Sequence, residues 1–292
     1  CMPMNTNQKS KFTLMTTAPV PSLIRKLAIP TIISMLITSF YVMADTYFVG
    51  QINTQSTAAV GISFSVMAII QALGFFCGHG SGNYISRRLG AQDYENAEKM
   101  AATGFFCAFL VGIAVTVIGL VFLTPISSML GSTPTIQPYT ETYLGIILLG
   151  APFMASSLVL NNQMRFQGNA IYAMFGIGLG AILNIALDPL LIFTFDMGIK
   201  GAAIATLASQ VCSFLLLLYL DSRGTNIRIR FKHFSPTPAL LKEVVYGGSP
   251  SLCRQGLASL ATILLNVSAG VYGDAAIAGM SIVTRICMFI NS

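Results

Sequence analysis

The chain has 292 residues, of which 54% are apolar and 9% charged, and its formal net charge is +6. A soluble domain carries about 25% charged residues to coat its surface, yet here Gln51 to Ser86 holds no Asp, Glu, Lys or Arg. That balance excludes an ordinary soluble fold and makes the bilayer the expected solvent.

Residues 1–22 are polar and contain proline, and they lack the short apolar core of a secretory signal; they read as a cytoplasmic tail. A hydrocarbon core of about 30 Å requires about 20 apolar residues in a helix. Segments that meet this, or begin to, run over Leu23–Val49, Ala58–Tyr84, Ala97–Leu123, Thr140–Asn161, Ile171–Phe195, Ala202–Leu220, Leu240–Gly270 and Ala275–Ser292. Uninterrupted runs of this length specify helices, because spanning backbone must satisfy its own hydrogen bonds and a barrel would show short alternating segments. The expected fold is therefore an all-α membrane protein. A six-helix transmembrane bundle covers residues 23–220, a cytoplasmic linker covers 221–238, and 239–292 opens a second, parallel-repeat bundle. Cys1 is not an initiator methionine and the last apolar run stops at Ser292, so the chain reads as a fragment whose missing sequence completes the second lobe.

Basic residues between the spans set orientation. Lys9, Lys11, Arg25, Lys26, Arg87, Arg88, Lys99, Arg165, Arg223, Arg228, Arg230, Lys232 and Lys242 fall on one side, against Lys200 on the other. The tail and the loops after spans two, four and six are thus expected in the cytoplasm of a plasma-membrane protein. Lipid headgroups suffice as partners for these charges, and nucleic acid is not expected. Of the six cysteines, Cys77, Cys107, Cys212, Cys253 and Cys287 lie inside apolar stretches and Cys1 does not. With no CxxC, they read as small buried apolar residues rather than a metal site or disulfide framework, and no cofactor is expected.

A shift of 220 residues places Pro30 on Pro250, Ser39 on Ser259, Gly50 on Gly270, Ala58 on Ala278 and Ile62 on Ile282. The match joins the first and seventh spans, which an even number of crossings leaves in the same orientation. Two parallel bundles flanking a central cavity are a transporter plan.

Polar groups inside apolar spans carry the most information, since each needs an interior partner. Asp45 and Asp188 both lie on outward-running spans, about 28–30 Å by helical rise from Lys26 and Gly168. Asn184 and Asp188 share a helix face at a spacing of four, and Thr206 lies six residues in from Lys200. Two carboxylates, an amide and a hydroxyl supply only oxygen donors, which suit Na+ or a shared proton better than a soft metal. The static alternatives place Asp45 at a wet helix end, Asp188 at the kink before Pro189, and Asn184 and Thr206 in helix packing. Pro30 removes a backbone bond and marks a fixed or a moving bend. Phe64, Met67, Phe75 and Phe153 suit a drug cavity or ordinary packing.

Together with the early proline, the segments ADTYFVG, AAVGIS, RRLGAQDYENAEK, NNQMRFQGN, LNIALDPLLIF and GIKGAAIATLASQ resemble, in order and spacing, the multidrug and toxic compound extrusion (MATE) transporters, over essentially all of Leu23 to Ser292. The resemblance implies twelve spans in two lobes, of which this chain supplies the first lobe and the start of the second. It implies a cation network at Asp45, Asn184, Asp188 and Thr206, with Tyr143 and Asn161 as looser members, and a helix bend at Pro30. Asn161 sits awkwardly there, near the expected cytoplasmic end of the fourth span. The implied activity is antiport, in which entering Na+ or H+ displaces a small organic, often cationic, compound. The rival readings are a lipid or lipid-linked precursor flippase, which would show a strongly cationic cavity although only Arg254 and Arg285 fall deep within spans, away from their ends, and a non-transporting half-transporter. An aspartyl enzyme built on Asp45 and Asp188 lacks the GxGD-type loop, and a Cys or Ser mechanism lacks a base beyond His79 and His233. No enzymatic activity is expected.

Overall fold

In a computed structural model, which describes residues 17, 19–224, 227 and 229–291, no strand occurs among the described residues. Most of the expected tail lies outside them, as do Cys1, Lys9, Lys11, Arg228 and the side chain of Arg285. The helices in chain order are α1 (Val20–Gly50), α2 (Thr54–Gly90), α3 (Tyr94–Val121), α4 (Leu123–Met129), α5 (Gln137–Leu149), α6 (Ala151–Phe166) and α7 (Ala170–Pro189). A π-turn at Leu190–Thr194 extends α7, and α8 (Ile199–Gly224), a 3-10 turn at Phe231–His233, α9 (Pro238–Gly270) and α10 (Asp274–Asn291) follow.

Helices α1, α2, α3, α7 with its π extension, and α8 are long and apolar enough to cross a membrane, and α5 with α6 forms a sixth span bent by 51°. The chain is an integral membrane protein. The bend follows from Pro152, which has no N–H for the carbonyl four residues earlier. That carbonyl, on Leu148, instead accepts a 2.6 Å hydrogen bond from the Thr116 hydroxyl of α3. Hydropathy predicts a single straight span here and misses the break. The seventh expected span also differs, because α9 has the length, 33 residues, but is not among the helices apolar enough to cross. Arg254, Gln255 and Asn266 dilute its hydropathy, and Asn266 turns inward, its amide 3.3 Å from the Ser65 hydroxyl of α2.

Helix α2 is the axis of the molecule. Its most apolar window is 61% buried, against 17% for α1. Asn53 starts α2, its side-chain oxygen accepting from Ser56 N at 2.6 Å. After Gly90 a tight turn carries Gln92 at φ 60°, and Asp93 caps α3 by accepting from the Asn96 backbone and side-chain amides at 3.3 and 2.7 Å. Bare glycine backbone lets neighbours close on α2. A methyl group on Gly80 would meet the Val244 backbone of α9, on Gly61 it would meet Ser281 of α10, and on Gly78 it would meet Asn162 of α6. By contrast α1 turns large apolar side chains such as Ile29, Ile32 and Phe40 outward. Its hydroxyls at Thr31, Ser34, Thr38 and Thr46 bond to carbonyls four residues back.

The boundaries repeat with the offset seen in the sequence. α1 ends at Gly50 and α2 begins at Thr54, while α9 ends at Gly270 and α10 begins at Asp274; Pro30 and Pro250 lie inside the first helix of each pair. At this far end Asp274 accepts from the Thr133 and Thr135 hydroxyls at 2.7 and 2.6 Å, tying α10 to the loop before α5. At the opposite, basic end Arg87 of α2 pairs with Glu243 of α9 at 2.6 Å. The linker there is packed onto the bundle: Ile229 N donates to Asp221 at 3.0 Å, and Phe234 meets Phe106 edge to face.

The cysteine expectation needs correction. Cys77 is buried and Cys107 half-buried, but Cys212, Cys253 and Cys287 are exposed. An apolar position in a membrane helix need not be covered by protein, because lipid solvates it equally well.

Candidate cation site and the adjoining cavity

Helix α7 carries Gly176, Gly180, Asn184 and Asp188 at a strict spacing of four, and therefore along one face. The glycine half of that stripe lets α8 approach. Ser213 of α8 donates to the Gly176 carbonyl at 2.8 Å, and a methyl group on Gly180 would lie 3.0 Å from Ser213 Cβ. The polar half then meets its counterpart, with the Asn184 amide 3.4 Å from the Thr206 hydroxyl in a buried contact. The start of α8 is seated by Gly201, where a methyl group would come within 2.7 Å of the Leu191 backbone in the π-turn. Pro189 explains that turn, since it lacks the donor that would continue the α-helical ladder, and π segments absorb such a break.

Asp188 is fully buried, and neither of its carboxylate oxygens has a hydrogen-bond partner among the described residues. The charged group that bears on it is Asp45, which α1 delivers five residues before its end and which is 7% exposed. The carbonyl oxygen of the buried Asn184 is likewise without a partner. The structure thus gathers Asp45, Asn184, Asp188 and Thr206 at the far end of α1, α7 and α8. They form an all-oxygen set with two neighbouring acids, in a place where uncompensated charge is costly.

A cavity of about 90 Å³ adjoins this cluster, lined by Tyr41, Gln71, Asn161, Asn184, Thr206 and Gln210 among others. It is large enough for a few waters or a small ion, whereas drug-sized ligands occupy about 300–1,000 Å³. Asn161 lines the same cavity as Asn184 and Thr206 but at its other end. Its amide donates to the Ala173 carbonyl in the first turn of α7 at 2.9 Å, about 16 Å of helical rise from Asn184, so it stays near the basic end where the sequence places it. Tyr143 lies apart from the cavity wall, buried in a core cluster with Val49, Ile192 and Ala202. Pro30 is buried within an unbroken α1. Of the aromatic and Met candidates, Met67 packs in the same core, while Phe153 lies edge-on to Phe214 and Phe75 stacks on His79. Gln71 and Gln210 escaped the sequence reading, although an uncharged amide within an apolar run was the available signal.

The MatE family model matches residues 30–190, more than half of the chain and a window that includes Pro30, Asp45, Asn184 and Asp188. The chain belongs to the MatE family. A Staphylococcus haemolyticus protein described as multidrug export protein MepA is 30% identical to this MatE chain over 264 residues, 90% of the chain and 58% of that relative. A Staphylococcus aureus protein of the same description is 30% identical over 274 residues, 93% of the chain and 61% of the relative. Among solved structures, the inward-facing conformation of a multidrug resistance MATE family transporter of the MOP superfamily superposes with a TM-score of 0.82 at 33% identity, covering 91% of this chain and 61% of the other. An outward-facing conformation matches with a TM-score of 0.82 at 28% identity, covering 98% and 66%. The chain spans about three fifths of the length of the curated relatives it matches.

Proposed function

We propose that this chain is the cation-coupling part of a multidrug exporter, which binds Na+ or H+ at Asp45, Asn184, Asp188 and Thr206 and returns the ion's free energy as outward movement of a small organic compound. The observation that carries the reading is the buried Asp188 carboxylate beside Asp45, with orphaned oxygens on Asp188 and Asn184. Two such acids in a low-dielectric interior are stable together only with positive charge between them, either a shared proton or a hard cation. The relatives described as multidrug export proteins support the substrate class.

Coupling requires that ion and drug favour different arrangements, because a ligand shifts an equilibrium only by its differential affinity. A cation bridging α1 to α7 favours the arrangement in which those helices meet; a bend of α1 at Pro30 would separate them. In this reading residues 23–220 form one lobe and 239–292 open the second, and the basic end with the N-terminal tail faces the cytoplasm.

The test is ethidium accumulation in cells expressing the full-length protein. The parent lowers accumulation, and Asp188→Asn, which keeps the side chain's shape, abolishes that effect at unchanged expression. Normal efflux by the variant removes Asp188 from the mechanism. Imposing Na+ and proton gradients separately on vesicles identifies the ion.

A further inference from the structure

At the basic end, α2, α6 and α9 frame a second polar group that cation exchange does not use. His79 of α2 is hydrogen-bonded through Nδ1 to the Ser251 hydroxyl of α9 at 2.7 Å. Its ring is held on both sides, stacked on Phe75 at 5.3 Å and edge-on to Phe166 at 6.1 Å. Phe166 follows Arg165 at the end of α6, and Arg254 lies three residues beyond Ser251 on the same face of α9. Both guanidinium groups lie within electrostatic reach of the imidazole, with the Asn162 amide beside it.

This group holds positive charge without negative charge. The ion pairs among the described residues join Arg87 to Glu243, Arg88 to Asp93, Lys99 to Glu95 and His233 to Glu98, and none involves Arg165 or Arg254. The Arg165 Nε is buried without a hydrogen-bond partner. A guanidinium presents five N–H donors in a fixed fork that matches a planar or tetrahedral oxyanion, and leaving a buried donor such as the Arg165 Nε unpaired is costly. Arg165 lies in the last turn of α6, and Ser251 and Arg254 lie about 20–24 Å along α9 from its start.

We propose that the side-chain cluster joining α2, α6 and α9 binds an oxyanion, a phosphate or carboxylate group, gripped by Arg165 and Arg254 and framed by His79, Ser251 and the rings of Phe75 and Phe166. The site is independent of the Asp45 and Asp188 cluster. The oxyanion comes either from a phospholipid headgroup entering from the inner leaflet or from a free anion.

The experiment measures the thermal unfolding midpoint of the full-length protein in phosphatidylcholine nanodiscs. One arm titrates inorganic phosphate against chloride at constant ionic strength; the other replaces part of the lipid with phosphatidylglycerol. Stabilisation by phosphate identifies a free anion, and stabilisation by phosphatidylglycerol alone identifies a headgroup. In either case Arg254→Gln, at an exposed side chain whose loss leaves packing intact, weakens the apparent affinity about tenfold or more. Arg165→Lys, which keeps the charge and loses the fork, weakens it similarly, and Arg87→Gln leaves it unchanged. No stabilisation in either arm, or stabilisation that Arg254→Gln does not weaken, overturns the proposal.

Discussion

Replacing Gly80 by alanine should part α2 from α9 at the basic end. The added methyl group would meet the backbone of Val244, its carbonyl oxygen first and then its Cα at 2.9 Å and carbonyl carbon at 3.0 Å. Ordinary carbon contacts lie at about 3.5–4.0 Å, and main-chain atoms cannot rotate aside, so the helices must separate by about 0.5–1 Å. The neighbouring positions give no relief, since Gly247 already lies against the Gly80 backbone and Gly248 against Phe76. Overpacking of this kind costs about 1–3 kcal/mol, a factor of about 5–150 in the balance between the closed seam and any arrangement that opens it. The assay places Arg87→Cys and Glu243→Cys at the end of the seam, with the exposed Cys212, Cys253 and Cys287 changed to serine, and measures the yield of a short bifunctional maleimide cross-link. The Arg87–Glu243 pair lost in that background is solvent-exposed and contributes about 0–1 kcal/mol. Gly80→Ala should lower the yield several-fold. Gly145→Ala, whose methyl group would find Leu123 at a comfortable 3.6 Å, should not. An unchanged yield in Gly80→Ala refutes the claim that contact at Gly80 sets the helix separation.

Two further predictions concern loops. Asp93→Ala removes the cap of α3 and should lower stability by about 1 kcal/mol, read as a drop in melting temperature, whereas Asp93→Asn keeps the acceptor. The Asn96 side chain, its backbone amide and Arg88 hold the Asp93 carboxyl below its ordinary value. Its contribution is therefore present above the unfolded carboxyl range and is lost as the pH falls through the folded value. The stability advantage of the parent over Asp93→Asn should shrink on acidification below about pH 4, and a constant difference would contradict this. Asp274→Ala removes both hydroxyl contacts to the loop before α5, and amide exchange across residues 131–136 should accelerate about tenfold, corresponding to about 1.4 kcal/mol. Unaltered exchange would show that the loop is held by its own packing.

Much of the architecture is legible from hydropathy because burying backbone in lipid imposes helix length directly. Depth and helical spacing likewise pick out Asp45, Asn184, Asp188 and Thr206, which the structure gathers at one end, with Asn184 bonded to Thr206. What escapes is geometry that a sliding average cannot register. The bend at Pro152 depends on the Thr116 hydroxyl of a different helix donating to a stranded carbonyl. The exposed cysteines escape because an apolar run does not distinguish a lipid-facing from a protein-facing position. His79, Arg165 and Arg254 are scattered through the sequence, and a reading that assigns Arg165 to topology and leaves Arg254 alone within a span has no reason to join them.

The bare strips on α2 bear on how the bundle deforms. Sliding one helix past another ordinarily requires interlocked side chains to climb out of their grooves, which gives packed interfaces discrete states. Where α2 meets α6, α9 and α10, glycine at positions 78, 80 and 61 removes one set of teeth. Smooth backbone on the central rod lowers the friction of small shear displacements while the close approach preserves contact area. Such a helix acts as a bearing, around which neighbours tilt without repacking, and each methyl group added to it is a burr.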